Sequence, residues 1–167
     1  MFVTKQQNCH HFVNLPLEEF YIMFEKLFQL VKNNAGTAVI DNPMIAAEHH
    51  EAVINEASSA IIEVLKSQLE SGKVKELIKY FQYPGIYQSP LVSTVVNKFA
   101  NRLNKFYSIE PSVAISTSKT LMPAVMQQLV EEVQKADNND FSLTTFLSKL
   151  TGNRTDMSTL VNKMAVA

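Results

Sequence analysis

Apolar residues recur at steps of three and four along almost the whole chain, and this spacing places them on one face of an α-helix. No stretch alternates apolar and polar residues for long enough to specify a strand. The periodic segments differ in length, which argues against a regular up-and-down bundle. The sequence therefore predicts an all-α fold, an irregular single-domain array of roughly six to eight helices.

Glycine and proline predict where the helices end. Gly36, Gly72 and Gly152 each follow a periodic stretch, where a residue in the left-handed conformation stops a helix. Pro123 lies inside a periodic stretch, so we expect a break near Ser118–Thr120 or a sharp kink. The predicted helices cover residues 17–33, 45–71, 74–82, 90–107, 111–136 with that interruption, 142–150 and 155–164.

Polar residues before the helices predict how they begin. Ser89, Ser108 and Asp140 each precede a periodic stretch and are expected to cap its first turn. Residues 37–43 are expected to form a loop with one extended or 3₁₀ turn. The inward face of the helix over residues 90–107 is predicted to consist of Leu91, Val95, Phe99, Leu103 and Phe106.

Composition restricts the function. Fifteen Lys and Arg against sixteen Asp and Glu give a net charge of −1, which provides no long-range attraction to nucleic acid or anionic lipid. The one cysteine cannot form an intrachain disulfide, which fits a reducing compartment. The chain has neither an apolar run of about eighteen residues nor a secretory signal, so we expect no membrane span and a cytoplasmic location. Residues 1–16 show no period and are predicted to be an N-terminal extension, followed by one helical domain over residues 17–167.

Three basic residues are the candidate surface contact. Lys98, Arg102 and Lys105 are spaced by four and three and share one stripe of a predicted helix. Such a stripe is usually an ordinary solvated face, although it is also where a nucleic acid would bind. With the charge balanced elsewhere, we expect the solvated face rather than a nucleic-acid contact.

No polar cluster predicts a catalytic, cofactor or metal site. His49 and His50 are adjacent and diverge around a helix, and neither has a second ligand three or four residues away, so they are expected to be an exposed pair near a helix start. Cys9, His10 and His11 lack the further ligands that a structural zinc site needs. We therefore predict no catalytic residue, cofactor or metal.

Scattered residues still leave an enzyme as the rival hypothesis. Helical folds can bring distant residues into one pocket between helices, and the candidates here are His49, Glu56, Tyr83 and Arg102. Phe20, Phe24 and Phe28 are spaced by four and form either a partner-binding stripe or part of the core, of which the core is favoured.

Several helix boundaries and core positions resemble a known family. The matching segments are Glu70–Val74 through Gly85, Ser89–Val92, Val95–Leu103, Leu121–Val125, the polar loop at 137–140 and Phe141–Gly152, together with Asn55–Leu69 upstream. Over residues 23 to 152 or so, the chain resembles the YidB-like bacterial proteins of unknown function, in a variant with a longer helix. The resemblance implies a helical fold and a bacterial setting, cytoplasmic or associated with the cell envelope, and it brings no catalytic residues.

The resemblance also leaves two starting points open for the native protein. Met23–Leu27 reads like the beginning of a YidB-like protein, so residues 1–22 are hypothesised to result from a start codon assigned too far upstream. Leu17, Phe20 and Tyr21 continue the same helix backward and argue against that hypothesis. The intact mass of the natively expressed protein decides between them.

These observations favour a non-catalytic helical module that acts by protein contact, with an unknown protein partner or as a homo-oligomer. The two alternatives are an enzyme with a pocket between helices and a weak nucleic-acid binder.

Overall fold

The computed structural model describes residues 15–83, 90–135, 141–152 and 157–166. These residues form α-helices, one π-helical turn (Gly36–Ile40) and one 3₁₀ turn (Ala47–His49), with no strand among them, so the all-α prediction is confirmed. The α-helices are α1 Leu15–Asn34, α2 His50–Glu70, α3 Val74–Gln82, α4 Leu91–Tyr107, α5 Pro111–Lys135, α6 Leu143–Leu150 and α7 Ser158–Val166.

One hydrophobic core joins these helices. Helices α4 and α5 share the most extensive contact of the described helices, and α1 and α2 pack against that pair. Ser118 on α5 is buried and donates a hydrogen bond to the Val96 carbonyl of α4 (2.6 Å). The large side chains at the centre are fully buried: Phe81, Phe99, Phe146, Met23, Leu27, Ile61, Leu65, Ile78, Leu103, Leu121, Met122 and Met126. Apolar burial on this scale is the main force that stabilises such a fold.

Two of the three predicted glycine stops are confirmed. Gly72 and Gly152 have φ values of +79° and +66° and follow the ends of α2 and α6. The prediction for Gly36 is wrong, because the chain stays right-handed there and begins the π-helical turn. That turn buries Ala38 and Val39, so packing against the core determines the conformation after α1.

The predicted break in α5 is wrong, and the alternative, a kink at Pro123, stays a prediction. Helix α5 runs without interruption from Pro111 to Lys135 and is the longest described helix. Pro123 lies on its exposed side, next to the exposed Ala124, so the carbonyl that loses its partner can be solvated by water. On the opposite side, buried residues before and after the proline hold the helix in the core.

Several predicted helix starts are corrected. Helix α2 begins at His50 rather than Ile45, since the 3₁₀ turn precedes it. Ser142, not Asp140, caps α6, and its hydroxyl accepts a hydrogen bond from the Thr145 amide (3.4 Å). Ser108 adopts a left-handed conformation (φ 55°) at the end of α4, so it terminates that helix instead of capping α5.

The remaining boundaries agree closely with the sequence. Helix α3 has the predicted bounds, and α7 covers most of the predicted last helix. Helix α1 begins at Leu15, and so includes two residues of the predicted extension. The predicted cap Ser89, the polar loop over 137–140 and the Cys9 cluster lie outside the described residues. None of the described helices combines the length and the apolar content needed to cross a bilayer.

Candidate interaction surface

Two of the three predicted basic contact residues are engaged within the fold. Helix α4 packs against α2, and the mostly buried Arg102 side chain (14% exposed) lies between two glutamates of α2. Its Nη1 donates to Glu56 Oε2 at 2.8 Å, and its Nη2 donates to the Glu63 carboxylate. Lys98 Nζ lies 3.0 Å from Glu63 Oε2. Lys98 and Arg102 therefore form an ion-pair network with Glu56 and Glu63 between α2 and α4, which we call the α2–α4 seam.

The electrostatics of this seam oppose the binding of an anion. The hydrogen bond from Lys98, with a further contribution from Arg102, holds the pKa of Glu63 below its usual value in spite of partial burial. Glu63 therefore stays charged and offsets the cations beside it. Lys105, the third residue, is exposed, and its Nζ lies 5.5 Å from the ring centroid of Phe106. The prediction of a fully solvated stripe is wrong for Arg102, because the packing of α4 on α2 encloses it.

The structure brings three of the four residues of the rival enzyme hypothesis near one another and leaves the fourth apart. The His49 ring contacts Tyr107 edge to face, with centroids 5.6 Å apart, and burial, with a further contribution from the negative charge of Glu56, raises the pKa of Tyr107. Arg102 and Glu56 satisfy one another at the same seam. Tyr83 lies elsewhere, at the end of α3. The seam is thus a set of mutual contacts and not a group of side chains that converge on a ligand.

The histidine pair lies where the sequence predicted it. His49 is exposed and His50 is partly exposed, at the start of α2. The His50 ring contacts the Ile45 carbonyl at 3.1 Å through Nε2. Within the residues that the structure describes, no group of three or more histidine, cysteine, aspartate or glutamate side chains could hold a metal ion.

Helix α1 buries one face and exposes another. Its innermost residues are Met23, Leu27 and Val31, which are almost completely buried. Phe20, Phe24 and Phe28 flank this line and pack, partly buried, against the core, which is the interpretation that the sequence favoured.

The other face of α1 exposes large apolar side chains. Leu17, Tyr21 and Ile22 are 68%, 62% and 47% exposed, and they are three of the seven large apolar side chains exposed in the described residues. All three lie in the first turns of the helix, within six residues. The exposed positions Glu18 and Lys26 complete the same surface. We call these five residues the α1 face.

Sequence reasoning missed the α1 face as a candidate site. Leu17 and Tyr21 were assigned to the helix by their spacing, but spacing alone cannot show that a second helix fails to cover them. Grouped apolar exposure of this kind marks an interaction surface more often than scattered exposure does.

Two grooves are also present among the described helices. A groove of about 410 Å³ lies between α1 and α5, where Lys26 Nζ is 5.3 Å from the ring centroid of Phe141. A second groove of about 360 Å³ is mostly apolar and is bordered by Gln82 and Tyr83. Gln82 Oε1 is buried and has no hydrogen-bond partner among the described residues. The first groove is lined by two glutamates and two lysines, Glu25, Glu132, Lys26 and Lys135, whereas no charged residue of the described chain lines the second.

Comparisons of the chain with models of protein families, with curated proteins and with solved structures found no match.

Proposed function

We propose that this chain is a non-catalytic helical module that acts in the bacterial cytoplasm by protein contact through the α1 face. We also propose, from the sequence resemblance, that it is related to the YidB-like proteins. The observation that carries the contact function is the exposure of Leu17, Tyr21 and Ile22 within two turns of one helix. Association that covers these side chains removes apolar area from water and is favourable in proportion to that area.

The ion pairing of the polar residues supports a protein-contact function over nucleic-acid binding and over catalysis. Lys98 and Arg102 are paired with glutamates of α2, which weakens the case for a nucleic-acid contact. Glu56 is committed to Arg102 at the same seam, which weakens the case for an acid–base site. The exposed apolar side chains of α1 have no comparable contact with the other described residues.

Photo-crosslinking tests the contact function. The photoreactive residue p-benzoylphenylalanine replaces Tyr21 in the full chain, which is then irradiated in bacterial cells that produce it. The matched control places the same residue at Phe106, which is also a well-exposed aromatic residue (56%) but lies on α4. We expect a discrete crosslinked protein adduct from position 21 and little from position 106. Equal yields at both positions, or no adduct at position 21, would contradict the proposal.

A further inference from the structure

The α1 face is self-complementary in charge. Glu18, Ile22 and Lys26 follow one another at intervals of four residues, so they form one row along the helix, and all three are exposed. Glu18 forms no ion pair with another described residue. Lys26 has the contact with the Phe141 ring, and its side chain remains open to solvent. The row thus presents an acid, an apolar residue and a base, in that order.

This order fits a second copy of the same row in the antiparallel direction. In a two-fold symmetric contact the same patch serves both subunits, and each residue pair occurs twice. An axis beside Ile22 places Ile22 against its own copy. It also places Glu18 against the partner subunit's Lys26, because the two charges lie at equal distances, about 6 Å along the helix, on either side of Ile22. A parallel contact would instead bring like charges together.

Apolar neighbours of the row supply the area for such a contact. Leu17 and Tyr21 each precede a member of the row by one position, and they are the two most exposed large apolar residues of the described chain. Two copies therefore contribute six large apolar side chains, from positions 17, 21 and 22. Aromatic and large aliphatic side chains of this kind are typical of the buried centre of an interface.

We propose that the partner of the α1 face is a second copy of this chain, bound as an antiparallel helix pair about a two-fold axis beside Ile22. This inference rests on the proposed contact function and specifies its partner. The exposure of the apolar residues supplies the driving force, and the order of the charges supplies the direction and the register.

Charge reversal tests the pairing. Sedimentation equilibrium of the full chain between about 1 and 100 µM measures the dissociation constant. Glu18→Lys and Lys26→Glu each replace two attractive pairs with two repulsive ones, and each is expected to raise that constant about tenfold or more. Combined in one chain, the two substitutions exchange the charges and should restore dimerisation. An equimolar mixture of the two single variants should also form heterodimers, since each then supplies the charges that the other requires.

Two control variants separate pairing from helix stability. Glu51→Lys reverses a first-turn acid of α2, and Lys119→Glu reverses an exposed mid-helix base of α5. Both positions lie outside the α1 face and should leave the dissociation constant unchanged. The helical signal of every variant by circular dichroism shows that each remains folded, and the heterodimer mixture tests the pairing without requiring the double variant.

The outcomes divide clearly. A wild-type chain that stays monomeric throughout the concentration range overturns the inference, as does a dimer that neither single reversal weakens. A mixture of the two variants that stays monomeric also overturns it. If the purified chain is monomeric and position 21 crosslinks to a different protein, the two-fold pair is wrong but the proposed contact function survives. If position 21 crosslinks instead to residues 1–14 of the same chain, both the two-fold pair and the proposed contact function are wrong.

Discussion

Helix α4 and the first turns of α1 both carry large apolar side chains at helical spacing, but the fold uses them differently. Leu91, Val95, Phe99 and Leu103 of α4 are buried, whereas Leu17 and Tyr21 of α1 remain more than half exposed. Helix α4 packs against both α2 and α5, so its apolar stripe is enclosed. Equal periodicity therefore does not mean equal burial, because neighbouring helices decide which apolar rows are covered.

The same contrast runs along α1 itself. Toward its end, Leu27 and Val31 are fully buried, and Asn34 donates a hydrogen bond to Gln128 of α5 (2.5 Å). In its first turns, large apolar residues point into solvent. One helix therefore anchors the core at one end and leaves large apolar side chains exposed at the other.

The largest expected effect tests the packed side of the comparison. Phe99→Ala removes a fully buried aromatic ring from the contact between α4 and its neighbours. We expect the free energy of unfolding to fall by about 3–5 kcal/mol, because apolar transfer and cavity terms add. Urea denaturation monitored by circular dichroism measures the loss. A loss below about 1 kcal/mol would mean that α4 is not packed as described.

A smaller effect is expected at the α2–α4 seam. Arg102→Met keeps much of the side-chain volume but leaves Glu56 and Glu63 without that partner. We expect a loss of about 1–2 kcal/mol, between the values for exposed and for buried ion pairs. A double-mutant cycle with Glu56→Gln isolates the pair. A coupling energy of zero would show that Arg102 does not pair with Glu56, and Arg102 would then be available to bind a nucleic acid.

Alkaline pH tests burial at α3. Burial raises the pKa of Tyr80 to about 12. The unfolded chain loses this proton near its ordinary pKa of about 10, so the contribution of Tyr80 to stability is intact below that pH and is lost as pH rises toward 12. At about pH 11 the loss should reach about 1.4 kcal/mol. Denaturation of wild type and Tyr80→Phe at pH 8 to 11 or so checks this. An identical pH dependence in both proteins would show that Tyr80 is not buried.

The smallest expected effect lies on the α1 face. Leu17→Gln and Tyr21→Gln exchange exposed apolar side chains for a residue with good helix propensity. At protein concentrations low enough to keep the chain monomeric, each should change the free energy of unfolding by less than about 0.5 kcal/mol. Chemical denaturation measures both. Losses as large as that of Phe99→Ala would show that these residues belong to the core.

The sequence predicted the helical class and most helix boundaries, because apolar spacing and glycine stops are local signals. It failed where tertiary packing dominates: Gly36 begins a π-helical turn that buries Val39, and α5 continues through Pro123. Phe106 was predicted to face inward with Phe99 but is 56% exposed; it lies in the last turn of α4, where burial no longer follows the apolar spacing. The site was harder still. Arg102 is enclosed by glutamates from another helix, whereas Leu17 and Tyr21 are left uncovered. Both outcomes depend on which helices become neighbours, which local spacing does not determine.

Amide hydrogen exchange of the unmodified chain at low and high protein concentration tests whether the α1 face binds a second copy. If the α1 face binds a second copy, protection of amides in residues 17–26 should increase with concentration, because association suppresses the opening of that helix end. Amides of α4 that exchange by local opening, and not by global unfolding, should keep the same protection at both concentrations. Protection in residues 17–26 that does not change with concentration, or that changes equally in α4, would contradict the claim.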